Sequence, residues 1–90
     1  MDFEWDEAKN LANIAKHGFD FLDGRQLFDG RPQLDIASPR REEVRALTIA
    51  ILDTQLVALV WTQRSDDTTR IISMRRANRA EARQYRQIFG

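Results

Sequence analysis

Three runs of β-branched and aliphatic residues, at 43–52, 56–63 and 69–76, are separated by polar stretches of only three to five residues. Connections that short cannot carry a crossover, so neighbouring runs must pair antiparallel as a meander. In the first run Leu47, Ile49 and Ile51 share one face, and Ala46, Ala50 and Leu52 the other. In the second, Val57, Leu59 and Trp61 alternate with Leu56, Ala58 and Val60, so both faces are apolar. Two-sided apolar strands are central strands covered by helices or another layer. Asp53-Thr54-Gln55 and Ser65-Asp66-Asp67-Thr68 supply the turns. A shorter strand over residues 33–37 precedes them, with Ser38-Pro39-Arg40-Arg41 as a polar loop.

After Arg76 the period lengthens. Asn78 with Glu81 three residues on signals a capped helix start, each side chain satisfying a free N–H of the first turn. Arg79, Arg83 and Arg86 then form a guanidinium stripe, and Ala82, Tyr85 and Phe89 an apolar one. At the other end, Phe3-Glu4-Trp5 is a short extended lead-in whose aromatics tuck against the core. Asp6 caps a helix carrying Ala8, Leu11, Ala12 and Ala15 as its apolar stripe, with Lys9, Asn13, Lys16 and His17 opposite and Gly18 as the stop. Asp20 caps a second helix over residues 21–28. Gly24 within it costs on the order of 1 kcal/mol relative to Ala, so packing of Phe21, Leu27 and Phe28 must hold it. Asp29-Gly30-Arg31-Pro32 ends that helix. Two N-terminal helices, three or four mainly antiparallel strands and a C-terminal helix make an α+β fold, with residues 1–90 as one domain.

Composition narrows the chemistry. At 42% hydrophobic and 31% charged residues, the 90-residue chain is a globular one and not a disordered one. It has no cysteine and one histidine, which removes disulfides, thiolate metal sites, a cysteine nucleophile and a paired-imidazole mechanism. No metal-ligand cluster and no glycine-rich phosphate loop stands out, so neither metal nor cofactor is expected. No apolar run approaches the ~20 residues of a membrane span, and the cytoplasm is the default location. The zero net charge is split: residues 1–43 hold six bases against ten acids (−4), residues 44–90 eight arginines against four acids (+4). The basic half has no lysine. Guanidinium forks suit bidentate phosphate or carboxylate contacts, so RNA and an acidic protein are both eligible partners.

Each candidate side chain has a plain reading beside a chemical one. His17 is a helix C-terminal residue well placed against the dipole, or a general acid or base, since imidazole titrates near neutral pH. Lys16 is a solvated lysine, or an ammonium that offsets charge at a phosphate. Arg64 and Arg70 flank one hairpin end, and Arg75 and Arg76 the opposite end of their strand, so the four need not share a site. Glu81 is a capping-box partner, and Tyr85 a core residue with a wet hydroxyl.

FEWDEAKNLANIAKHGFDF (residues 3–21) and RIISMRRANRAEARQY (residues 70–85) resemble the two signature stretches of the BrnT toxins, ribonucleases of type II toxin–antitoxin modules in the RelE-like superfamily. Glu43-Val44-Arg45 and Val60-Trp61-Thr62-Gln63-Arg64 resemble the family's central segments. The chain departs at Gln63, where the family typically has Glu, at Met74, where a small residue is usual, and at Glu42, where Gly is common. If the family's Glu accepts a proton, Gln63 implies a weaker enzyme.

The resemblance implies a RelE-like domain that cleaves RNA without a metal and halts translation. It also implies a BrnA-type ribbon-helix-helix antitoxin, with operator DNA bound only through the complex. Its motif positions carry onto Lys16, His17, Arg45, Arg64, Arg75, Glu81 and Tyr85; of these, Lys16 and His17 are the expected acid–base or electrostatic element and Arg64 and Arg75 the expected phosphate clamps, with Tyr85 in support. Arg45, Arg70, Arg76, Arg79 and Arg83 are the expected RNA-binding set. The alternative is a non-catalytic antitoxin-binding module with an arginine-rich surface. A third, weaker reading is DNA binding by the last helix, whose arginine stripe would contact phosphates and where Gln84 and Gln87 are the obvious base-reading candidates.

Overall fold

The computed structural model describes residues 1–40 and 43–90, with side chains outside residues 38–44. The order is β1 (Asp2–Glu4), α1 (Glu7–His17), α2 (Phe21–Gly24), a 3-10 turn (Arg25–Phe28), β2 (Gln33–Arg40), β3 (Glu43–Leu52), β4 (Gln55–Gln63), β5 (Thr68–Arg76) and α3 (Arg79–Phe89). The strands form one sheet ordered β1-β5-β4-β3-β2. β2 to β5 pair antiparallel as expected, with Asp53 at φ 58° in the short turn between β3 and β4.

The sheet is larger than the expected three or four strands, and it is mixed. Residues 2–4, within the expected lead-in, pair parallel with β5, Asp2 opposite Thr68 and Glu4 opposite Arg70. A three-residue strand is too short to show alternation. It is fastened by tertiary contacts: the Asp2 N–H donates to the Asp67 carbonyl at 2.6 Å, and Arg70 reaches the Glu4 carboxylate at 2.6 Å. β2 also outruns its expected end at residue 37, continuing to Arg40 through the expected loop; Pro39 is tolerated because β2 is an edge strand. Arg41, the last residue of that loop, lies outside the described residues.

One face of the sheet holds the core. Ala50, Leu52, Val57, Leu59, Ile71 and Met74 meet Phe21 and Leu27, with Phe3, Trp5, Phe19, Phe28 and Trp61 at the margin. Fully burying Phe21 or Leu27 contributes about 1.5–3 kcal/mol each. A side chain at Gly24 would put its Cβ 3.1 Å from Leu59 Cδ1, so the close approach of α2 to the sheet explains a glycine inside a helix. The expected helix over residues 21–28 is one α turn followed by a 3-10 turn. So short a helix leaves most terminal carbonyls unpartnered, and the tighter i→i+3 winding recovers some.

α1 has the expected bounds, Asp6 cap and Gly18 stop (φ 78°), but the side it turns inward is polar. Its buried residues are Asn10 and Asn13, while Leu11, on the expected apolar stripe, is 62% exposed. Hydrogen bonding outweighs apolar burial here. β1 pairs with β5 only as far as Arg70, so the backbone at Met74 faces outward from the sheet edge. The Asn13 amide fills that gap: its Nδ2 donates to the Met74 carbonyl at 2.8 Å and its Oδ1 accepts from the Met74 N–H at 3.2 Å. Asn10 does likewise for the chain turn, accepting from the Phe21 N–H at 2.8 Å and donating to Asp20 at 3.0 Å. An unpaired buried amide costs about 1–3 kcal/mol, comparable to the burial of a leucine.

Candidate active site

The other sheet face is covered over part of its area. Strand alternation puts Leu47 and Ile49 of β3, Ala58, Val60 and Thr62 of β4, and Arg70, Ser73 and Arg75 of β5 on this side. The register shift at Val60/Trp61 leaves Ile72 as an extra residue on β5. α3, which packs on β3, closes the face around Ile49 and Ala58, both buried. Beyond it Leu47, Val60, Ser73 and Arg70 remain half-buried. The two-sided apolar pattern of β4 therefore marks cover by helices at one end only. Arg45, one step from Ala46 and in line with Leu47, shares the open part.

The arginines at the two ends of β5 are separated, as the hairpin geometry requires. Arg64 and Arg70 converge on Glu4, at 3.9 and 2.6 Å. Arg75 lies five residues from Arg70, roughly 15 Å along the strand. It makes a two-pronged contact with Glu81, at 2.8 and 2.9 Å. Glu81 also closes the expected capping box, accepting from the Asn78 N–H at 2.9 Å while Asn78 Oδ1 accepts from the Glu81 N–H at 2.8 Å. The pair thus ties the start of α3 to β5. Arg75's hydrogen bonds hold the Glu81 carboxyl below its usual range against the opposing effect of burial, and Glu81 in turn raises Arg75.

That lowered carboxyl fixes a sign. Stability from it is present in full above the unfolded value of about 4.3 and is lost as pH falls through the lower folded value. The melting temperature should therefore fall less steeply for Glu81→Gln than for wild type below about pH 4.3. Parallel curves from pH 5 to pH 2 would contradict it.

The remaining expected site residues divide. Arg76 falls on the helical side of the sheet, opposite Val57, and donates to Gln55 at 3.2 Å. Arg79 and Arg83 are exposed on α3. Tyr85 is 4% exposed, its ring packed at a tilt against Phe89 with centroids 4.8 Å apart, and its hydroxyl donates to the Pro32 carbonyl at 3.4 Å. Gln63 lies opposite Thr69, donates to the Ser65 carbonyl at 2.7 Å and accepts from Thr69 Oγ1 at 3.3 Å. Alternation from Thr62 turns Gln63 away from the open face, into the hairpin.

Lys16 and His17 are brought together with new neighbours. They line a groove of about 270 Å³ between α1 and the free edge of β5, with Lys9, Ala12, Asn13, Ile72 and Ser73. Ser73 also belongs to the open face, so groove and face meet there. The side chains of Lys9, Lys16, His17 and Ser73 have no hydrogen-bond or ion-pair partner among the described residues. Sequence reasoning passed over Lys9, Asn13, Ser73 and Glu4. The seven-residue spacing of Lys9 and Lys16 was a legible signal for one of them; nothing local marked Glu4.

The chain matches, over residues 5–81, the family model described as "Ribonuclease toxin, BrnT, of type II toxin-antitoxin system". No relative was found among curated proteins. Among solved structures it resembles the ribonuclease toxin BrnT of Brucella abortus, with 30% identity and a TM-score of 0.69 over 88% of this chain and 99% of that one. A profile match across most of the chain and a shared fold at that identity agree, and the chain belongs to the BrnT family of ribonuclease toxins of type II toxin–antitoxin systems.

Proposed function

We propose that this toxin is a metal-independent endoribonuclease of the cytoplasm, one domain over residues 1–90, that cleaves RNA and thereby stops translation. The observation that carries the reading is the groove in which Lys16 and His17, without a partner among the described residues, stand beside the arginine-bearing face. His17 takes the proton of a ribose 2′-hydroxyl. The 2′-oxygen bonds to the adjacent phosphorus as the bond to the 5′-oxygen breaks, and that oxygen takes up a proton from solvent water. The products are a 2′,3′-cyclic phosphate and a 5′-hydroxyl end. Lys16 offsets charge on the phosphoryl oxygens. Arg45 and Arg70, on the open face, steer the strand, with Arg64 at the hairpin end and Arg79 and Arg83 on α3 further out. Arg75 and Tyr85 serve by fixing α3 instead of touching RNA. A ribbon-helix-helix antitoxin of the BrnA type restrains the enzyme and carries the complex to operator DNA.

RNA incubated in chelator with folded protein, freed of antitoxin, should yield fragments with cyclic phosphate ends. Intact RNA would overturn the reading. It would favour the alternative, a non-catalytic antitoxin-binding module, for which the pairing of Arg70 and Arg75 with Glu4 and Glu81 speaks: these guanidiniums already hold carboxylates.

A further inference from the structure

We propose that Lys9 and Ser73 complete an RNA-backbone subsite in the α1–β5 groove, with Lys9 gripping the phosphate next to the one that is cleaved. The inference rests on the ribonuclease reading and adds to it where the substrate strand runs.

Three observations carry it. First, the cationic groups singled out on the sheet are partly spent: Arg64 and Arg70 share the Glu4 carboxylate, and Arg75 is engaged by both oxygens of Glu81. Lys9, Lys16 and His17 have no such partner among the described residues, so their charge is available to an incoming anion. Secondly, Lys9 and Lys16 are two turns apart on α1. They lie within about 20° of one face and about 10 Å apart along the axis. That separation is too long for both ammoniums to sit on one phosphate group without bending toward it, and it suits successive phosphates of a strand laid along the helix. Thirdly, the extra residue at Ile72 lets Ser73 line the groove while it remains on the open face. Its unpaired hydroxyl can donate to a phosphate oxygen midway between the lysines and the arginine face.

The strand therefore runs along the free edge of β5, with the scissile phosphate at Lys16 and His17 and its neighbour toward the N-terminus of α1. Lys9 contributes binding that is equal in ground and transition states, so its loss raises KM and leaves kcat unchanged.

The test uses the full chain and a fluorescent 2′-O-methyl oligoribonucleotide, which lacks the attacking hydroxyl and cannot be cut. Lys9→Ala should weaken binding about 5-fold at 0.1 M salt and reduce the slope of log Kd against log salt by about 0.7, the value for one single-strand phosphate contact. Lys9→Arg should restore both. With cleavable RNA, Lys9→Ala should raise KM with kcat within about twofold of wild type. Unchanged affinity and slope for Lys9→Ala, in a protein that still cuts RNA, would overturn the subsite and leave the ribonuclease reading standing. Lys9-dependent binding in a protein that cuts nothing would uphold the subsite and remove the catalytic reading. A wild-type protein that does not bind the probe would overturn the subsite outright.

Discussion

Replacing His17 by Ala is expected to slow RNA cleavage by about 10²–10⁴-fold, the range spanned by a positioned general acid or base. The melting temperature should stay close to that of wild type. The second half of the expectation makes the first informative. His17 is the last residue of α1, exposed, and its side chain has no partner among the described residues. The helix stop is made by Gly18, whose N–H donates to the Ile14 carbonyl at 2.8 Å. Removing the imidazole therefore leaves the cap and the core intact. Assay of the folded variant by single-turnover cleavage, with a pH profile, separates a proton-transfer role from a binding one. A variant that cuts at the wild-type rate would remove His17 from the chemistry.

Asn13→Ala is expected to destabilise the protein by about 3 kcal/mol, because it strips partners from several groups at once. The side chain donates to the carbonyls of Phe19 and Met74, at 3.0 and 2.8 Å, and accepts from the Met74 N–H. Without it the Met74 N–H and carbonyl at the edge of β5 lose their partner in a buried position. For a domain of this size, a loss of that magnitude lowers the melting temperature by more than about 10 °C. Asn13→Leu should not rescue it, since apolar area cannot replace the hydrogen bonds. Equal melting temperatures for Asn13→Leu and wild type would show that α1 is held by apolar packing after all. The same substitution loosens the wall of the Lys16–His17 groove, so cleavage should fall with stability.

Asn13 and Glu4 illustrate why part of the site could not be read from the chain. The helical repeat of residues 7–17 is plain, as are its Asp6 cap and Gly18 stop. Hydropathy then points Leu11 at the core, yet Leu11 is exposed and Asn13 faces the sheet. Hydropathy measures transfer out of water. It does not register that a neighbouring strand will present an unpaired N–H and carbonyl, because that need arises only when β1 stops short of Met74. Glu4 is likewise an ordinary acid in a three-residue strand until parallel pairing sets it opposite Arg70.

Local sequence determined the elements whose causes are local. The alternation of residues 43–76 made antiparallel strands, and Asn78 with Glu81 made the capping box of α3. The resemblance of its two signature stretches carried the family. Tertiary structure decided the rest: which face of α1 turns inward, that residues 2–4 join the sheet, and which cations remain free. In the sequence nothing distinguishes Arg64, at the end of a strand, or Arg70 and Arg75, on the next one, from any other arginine of the basic half. Only the approach of Glu4 and Glu81, 66 residues before Arg70 and 6 after Arg75, engages them and leaves Lys9, Lys16 and His17 without a partner among the described residues. Charge pairing depends on distance in space, and chain order does not specify that distance until the sheet has formed.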